Sequence, residues 1–193
     1  MGKIVVSENV SLDGVIEIAA EDDGSRFGSW FDWMGDEDRK AWAEVEFEEA
    51  MSAEALLMGR LSYEWFLARG WQSRTGAWAD RLRSLPKYVM SSTLKDLGWE
   101  NSTVLKGDLA DEVSALKREV DGDIVVYASS GLVQALLEHD LVDELRLIVY
   151  PFVLGGGRRL FGGTSAKKPM RLVETRTVGD GLPFLVYRSV RVP

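Results

Sequence analysis

Three short turns carry the residue types that hold phosphate groups: Gly59-Arg60-Leu61-Ser62, Ser91-Ser92-Thr93 and Ala128-Ser129-Ser130-Gly131. Each follows a segment with strand character, and two of them open a helical pattern. A helix N-terminus at the carboxyl end of a strand offers backbone N–H groups and a partial positive charge to an anion. Taken singly, each turn is better explained by serine as a helix cap and glycine as a turn residue. A fourth turn, Ser11-Leu12-Asp13-Gly14, places a carboxylate directly after the first apolar run, where it serves either as an acid–base group or as a turn former. The run Gly155-Gly156-Gly157 lacks the spacing of a dinucleotide fingerprint and opens no helix, so it reads as a sharp turn tolerant of positive φ.

Around these turns the chain alternates strand and helix. Lys3 to Val10 predicts the first strand, and residues 21–35, with Trp30, Phe31 and Trp33, a long loop without either period. Asp36 to Ser52 predicts a helix with Asp36 as N-cap and the glutamates from Glu44 to Glu49 on a solvated face. Ala53 to Met58 is a strand and Ser62 to Arg69 a helix. Trp78 to Leu85 is helical up to Pro86, and Lys87 to Ser92 is again a strand. Thr103 to Leu105 is a short strand, Leu109 to Val120 an amphipathic helix, Asp123 to Tyr127 a buried strand and Leu132 to Glu138 a helix, with His139 near its end as a cap. From Glu144 the pattern changes to strands at 144–154, 171–178 and 184–192, the last two joined by Gly179-Asp180-Gly181. The fold class expected is therefore α/β: a mixed, mostly parallel sheet with a C-terminal antiparallel hairpin and flanking helices. No composition shift or linker marks a boundary, so one domain over residues 1–193 is expected.

Composition narrows the function. The 193 residues contain no cysteine and one histidine, which excludes disulfides, thiolate nucleophiles and multi-histidine or cysteine metal sites. The net charge of -8 opposes nucleic-acid binding, and no apolar run approaches the roughly 20 residues of a membrane span. Met1 to Val6 has neither the charged start nor the long apolar stretch of an export signal, so a cytoplasmic location is expected.

The motifs in order carry a resemblance. Ser11-Leu12-Asp13-Gly14, the run from Leu56 to Glu64, the run from Lys87 to Leu94, Leu141 to Leu145, and Pro151 to Gly157 with Leu160-Phe161 resemble the reductase domain of riboflavin biosynthesis. That domain forms the C-terminal half of the bifunctional deaminase-reductase, has the three-layer dihydrofolate reductase-like fold, and also occurs as stand-alone bacterial proteins. The resemblance covers essentially the whole chain and implies an oxidoreductase using NADPH. It implies that Gly59 and Arg60 form the cofactor's glycine-arginine site, the Arg60 guanidinium facing the adenosine 2′-phosphate and Ser62 starting the following helix, that Ser91 and Ser92 border the adenosine ribose and 2′-phosphate, and that Ala128, Ser129, Ser130, Gly131 and Leu132 hold the pyrophosphate. The family usually has glycine where Ala128 stands. Asp13 would lie where nicotinamide and substrate meet, with Trp30, Phe31 and Trp33 as substrate contacts. A pyrimidine or pterin-like small molecule is the implied substrate and a homodimer the implied assembly. The specific activity implied is 5-amino-6-(5-phosphoribosylamino)uracil reduction. Another heterocycle reductase on the same fold, or a catalytically idle dimeric nucleotide-binding protein, are the alternatives.

Overall fold

The structure is a computed structural model and describes residues 1–16 and 33–190. Eight strands form one sheet in the order β4-β3-β2-β5-β1-β6-β8-β7. In chain order they are β1 (Lys3–Ser11), β2 (Ala53–Gly59), β3 (Lys87–Met90), β4 (Ser102–Leu105), β5 (Asp123–Tyr127), β6 (Glu144–Tyr150), β7 (Met170–Val178) and β8 (Leu182–Ser189). The first six in sequence run parallel, and β8 joins β6 and β7 antiparallel. Helices α1 (Asp36–Ser52), α2 (Arg60–Ala68) and α3 (Ala77–Ser84) cover one face, while α4 (Leu109–Glu119) and α5 (Ser130–Glu138) cover the other. This is the expected three-layer α/β arrangement.

The central strands are buried on both faces, which their runs of Val, Ile and Leu dictate. Ile4, Val6, Leu57, Ile124 and Val126 pack with Val113 of α4 and Val133 and Leu136 of α5. Val5, Leu56, Met58 and Val125 pack on the opposite face with Ala50, Tyr63 and Leu82. Arg146 on β6 ties α1 to the sheet by pairing with Glu49 at 2.9 Å, Asp123 at 2.8 Å and Glu144 at 2.7 Å.

Four details depart from the sequence reading. The strand expected to reach Leu154 ends at Tyr150, because Pro151 has no N–H to continue the ladder. The strand expected to reach Ser92 ends at Met90, where the Ser91 hydroxyl accepts from the N–H groups of Thr93 and Leu94 and folds the chain into a turn. Helix α1 is capped by Gly35, with Asp36 as its first residue and no side-chain cap. The glutamates of α1 do not all face solvent: Glu46 and Glu49 are buried, because they lie on the stripe that carries Val45 and Ala50 toward the sheet.

Candidate active site

The site originates in the pairing of β1. This strand pairs with β5 only as far as Ser7 opposite Tyr127, but with β6 all the way to Ser11 opposite Tyr150. Beyond Ser7 and Tyr127 the two strands part at their carboxyl ends, and a cleft of about 1380 Å³ opens there. This is where open α/β sheets bind ligands.

Two of the predicted turns meet on one side of the cleft. The Gly59 N–H donates to Ser129 Oγ at 3.1 Å, the Ser129 N–H donates to Ser62 Oγ at 3.1 Å, and Ser129 Oγ donates to the Tyr127 carbonyl at 3.1 Å. Gly59, Arg60, Ser62, Ala128, Ser129, Ser130, Gly131 and Leu132 all line the cleft. Ser129 is the N-cap of α5 by position, yet its hydroxyl is committed to these neighbours and makes no cap bond. The amides opening α5 are therefore presented to the cleft rather than to a serine oxygen. A Cβ built on Gly131 would meet nothing within 4 Å, so a ligand can approach the backbone closely there. Arg158, from the segment after β6, reaches the same place and donates from Nη1 to Ser130 Oγ at 3.3 Å. Arg60 lies in the first turn of α2, bonded to both carboxylate oxygens of Glu64 at 3.0 Å. Ser91 and Ser92 follow β3 and do not line the cleft.

The floor of the cleft is acidic. Along β1, Val6, Glu8 and Val10 alternate onto the face packed against α5, while Ser7 and Asn9 face α1. Glu8 is 7% exposed, lines the cleft, and its Oε1 has no hydrogen-bond partner among the described residues. Burial, then the charges of Glu46 and Glu49, push its carboxyl well above the usual carboxylate range. Glu46, 9% exposed, enters from α1. Burial first and Glu49 second push it up to about 8, with the Asn9 side chain partly offsetting them. Tyr127, also in the lining, is raised chiefly by burial and next by the charges of Glu49 and Glu46. Glu49 has Arg146 for a partner, but among the described residues no ion pair reaches Glu8 or Glu46. At neutral pH Glu46 therefore holds a proton that it can give up.

Aromatic rings form the wall beside this floor. Trp42 of α1 donates its Nε1 hydrogen to Asn9 Oδ1 at 3.0 Å and sits edge-on to Trp78, centroids 5.9 Å apart. Trp78 meets Trp71 at 5.4 Å, and Trp71 meets Phe66 at 5.6 Å. These acids and rings were not singled out as site residues from the sequence, although a signal existed. Glu8 interrupts the apolar face of a strand, and Glu46 and Glu49 share a helical stripe with Trp42 and Val45.

The remaining candidates lie elsewhere. The Asp13 carboxylate accepts from Ser11 Oγ at 2.7 Å and from the N–H groups of Leu154 at 3.1 Å and Gly155 at 2.9 Å, and it faces Arg159. The Ser11 bond and then the Leu154 amide lower it to about 2, so it stays ionised and carries no proton at neutral pH. Asp13 does not line the cleft. Trp33 is 64% exposed and packs edge-on to Phe152 at 5.7 Å, away from the cleft. Trp30 and Phe31 lie outside the described residues.

With this geometry in view, the comparisons with known proteins decide the family. The family model of the RibD C-terminal domain matches residues 2–184. The chain belongs to that family. Its three-layer fold agrees with that membership. The uncharacterized protein YyaP of Bacillus subtilis (strain 168) is 34% identical over 107 residues, a match covering 55% of this chain and 56% of that protein. The structure of a pyrimidine reductase-like protein from Corynebacterium diphtheriae superposes with a TM-score of 0.68 at 14% identity, covering 98% of this chain and 92% of that one. Dihydrofolate reductase from Enterococcus faecalis, complexed with NADP(H), superposes with a TM-score of 0.60 at 15% identity over 97% and 96% of the two chains. Among the described residues no helix is long and apolar enough to cross a membrane.

The backbone at the α5 turn generates a prediction. Ala128 and Ser129 hold φ of 50° and 43°, a region that costs a non-glycine residue roughly 1–2 kcal/mol. Ala128→Gly removes that cost at the position where the family usually has glycine, against some loss of chain entropy. Chemical denaturation is expected to show a gain of about 1 kcal/mol with an unchanged denaturant slope.

Proposed function

We propose that this protein is an NADPH-dependent reductase of a small nitrogen heterocycle, with 5-amino-6-(5-phosphoribosylamino)uracil as the substrate type its family suggests. The observation that carries the reading is the joining of the Gly59–Ser62 and Ala128–Ser130 turns beside an acidic, aromatic floor in one cleft. The donor set suits a dinucleotide. The amides at the start of α5, the Ser130 hydroxyl and the Arg158 guanidinium would hold the pyrophosphate, and Arg60 would meet the 2′-phosphate. Ser91 and Ser92, one strand over at the end of β3, would border the adenosine ribose.

When bound, NADPH supplies the hydride, and the reduction consumes one proton as well. Glu46 is the residue in the lining suited to provide that proton, because its environment keeps it protonated at neutral pH. Trp42, Trp71 and Trp78 exclude water from a flat ring and hold it over the floor. Asp13 acts in this reading as an anchor: it fixes the turn at 154–155 from which Arg158 is carried to the cleft.

A homodimer completes the proposal. Strand β7 is exposed from Arg171 to Thr177, including Leu172 at 46% and Val173 at 42%, and a bulge interrupts its pairing with β8 between Leu172 and Glu174. A second copy covering this edge would bury apolar surface now open to solvent.

Two measurements check these points. NADPH should bind more tightly than NADH by titration of tryptophan fluorescence. Arg60→Ala should weaken NADPH by about 1–3 kcal/mol and leave NADH nearly unchanged. The pair with Glu64 is surface-exposed and worth little, so its loss should not obscure that difference. Equal weakening of both cofactors would remove Arg60 from the phosphate site. Light scattering at micromolar concentration should give twice the chain mass of 21.5 kDa, and a monomer would refute the dimer.

A further inference from the structure

Arg60 and Glu64 are the charged residues of α2, four positions apart and so on one face of the helix. Arg60 Nη1 donates to both carboxylate oxygens of Glu64 at 3.0 Å. A guanidinium presents five N–H groups, and this pairing uses those of Nη1 alone. The fork made by Nε and Nη2 has no bond among the described residues, and Arg60 lines the cleft while Glu64 does not. Glu64 therefore holds the guanidinium from behind and leaves a fork that matches two phosphate oxygens.

The partner that holds Arg60 also brings a negative charge. The two side chains are 42% and 43% exposed, so water screens the pair and its worth to folding is small. For a ligand the balance differs, because a phosphate on the open fork carries up to two negative charges. Two groups on one guanidinium are closer than the Debye length, about 8 Å at physiological ionic strength. The first turn of α2 contains no acid, which leaves Glu64 as the carboxylate of this helix that a phosphate at Arg60 meets.

We propose that Glu64 is a specificity-determining residue, whose carboxylate shares Arg60 with an incoming phosphate and, by like charge, restrains the preference for a phosphorylated ligand over its unphosphorylated counterpart. This inference rests on the reading above in which Arg60 meets the 2′-phosphate of the cofactor.

The probes are adenosine 2′,5′-bisphosphate and adenosine 5′-monophosphate, which differ in the 2′-phosphate alone, titrated calorimetrically into the full chain. In the wild type the bisphosphate is expected to bind at least about fivefold more tightly, and Arg60→Ala should bring that ratio to within about twofold. Glu64→Gln keeps an oxygen acceptor for Nη1 and removes the charge. It should raise the ratio by about threefold or more at about 0.02 M salt, through tighter bisphosphate binding, and the gain should shrink toward none at about 0.5 M. The position is half-exposed and the two residues have nearly equal helix propensity, so thermal unfolding should be unchanged. A ratio that Glu64→Gln leaves unchanged or lowers, or a gain indifferent to salt, overturns the proposal. The same titrations separate it from the reading beneath it. A ratio lost in Arg60→Ala but unmoved in Glu64→Gln counts against this inference only. A salt-sensitive rise in Glu64→Gln, in a chain that fails to bind NADPH itself, supports the inference and counts against the reductase reading. A ratio near one in all three proteins removes the phosphate from Arg60 and overturns both.

Discussion

Past Ser7, β1 leaves β5 while its ladder with β6 continues to Ser11, and the rest of the site follows from that constraint. Where two strands part, the amides and carbonyls that would have paired across the gap need other partners. On the other side of β5, one serine ties that strand to β2. The Ser129 hydroxyl takes the Gly59 N–H and gives its hydrogen to the Tyr127 carbonyl, while the Ser129 amide goes to Ser62. Strands β2 and β5 are thereby held together beyond the end of their ladder. The same bonds leave α5 without a side-chain cap, so the arrangement that closes one side of the opening also aims helix amides into it.

The floor shows what such a site costs. Buried carboxyls are retained in proteins mostly when they are paired, and Glu49 obeys that rule through Arg146. Among the described residues, no ion pair reaches Glu8 or Glu46. Their environment moves both carboxyls toward the protonated form, which lowers the expense of burial and gives the cleft an acid poised near neutrality. Groups perturbed in this way by burial and like charge gather at functional sites. Asp13 shows the opposite economy: fully engaged by Ser11, Leu154 and Gly155, it is held far into its ionised range and serves geometry.

Much of the architecture was legible in the sequence because it rests on local rules. The β-branched runs at Lys3 to Val10 and Asp123 to Tyr127, the apolar periodicity of Leu109 to Val120 and the switch to hairpins after Leu141 each fix an element independently of the others. Strand ends were less legible: Pro151 and Ser91 cut strands that an apolar pattern extends. The phosphate-type turns were readable as residues, and their convergence depends on β5 inserting between β1 and β2, which no local pattern reveals. The acidic floor was the least visible part. A glutamate-rich helix usually faces water, and only the register of α1 against the sheet turns Glu46 and Glu49 inward while leaving Glu44 and Glu48 outward. The sequence points to the loop around Trp33 for substrate-contacting rings, whereas the aromatic wall among the described residues is built from α1, α2, the 3-10 turn Trp71–Ser73 and α3.

Glu46 is buried with no counter-charge among the described residues, and pH titration of stability tests this burial most directly. An unfolded chain releases the Glu46 proton near the ordinary 4.5, whereas the folded protein retains it up to about 8. Between those values the folded state binds more protons, so the contribution of Glu46 to stability is fully present below about 4.5, declines as pH rises through the interval, and levels off above about 8. Denaturant unfolding of wild type and Glu46→Gln across this range should therefore give a difference that grows with pH in favour of the variant and then flattens. Parallel curves, or a wild type that gains on the variant as pH rises, would show that Glu46 is solvated or paired and would contradict the account of the floor.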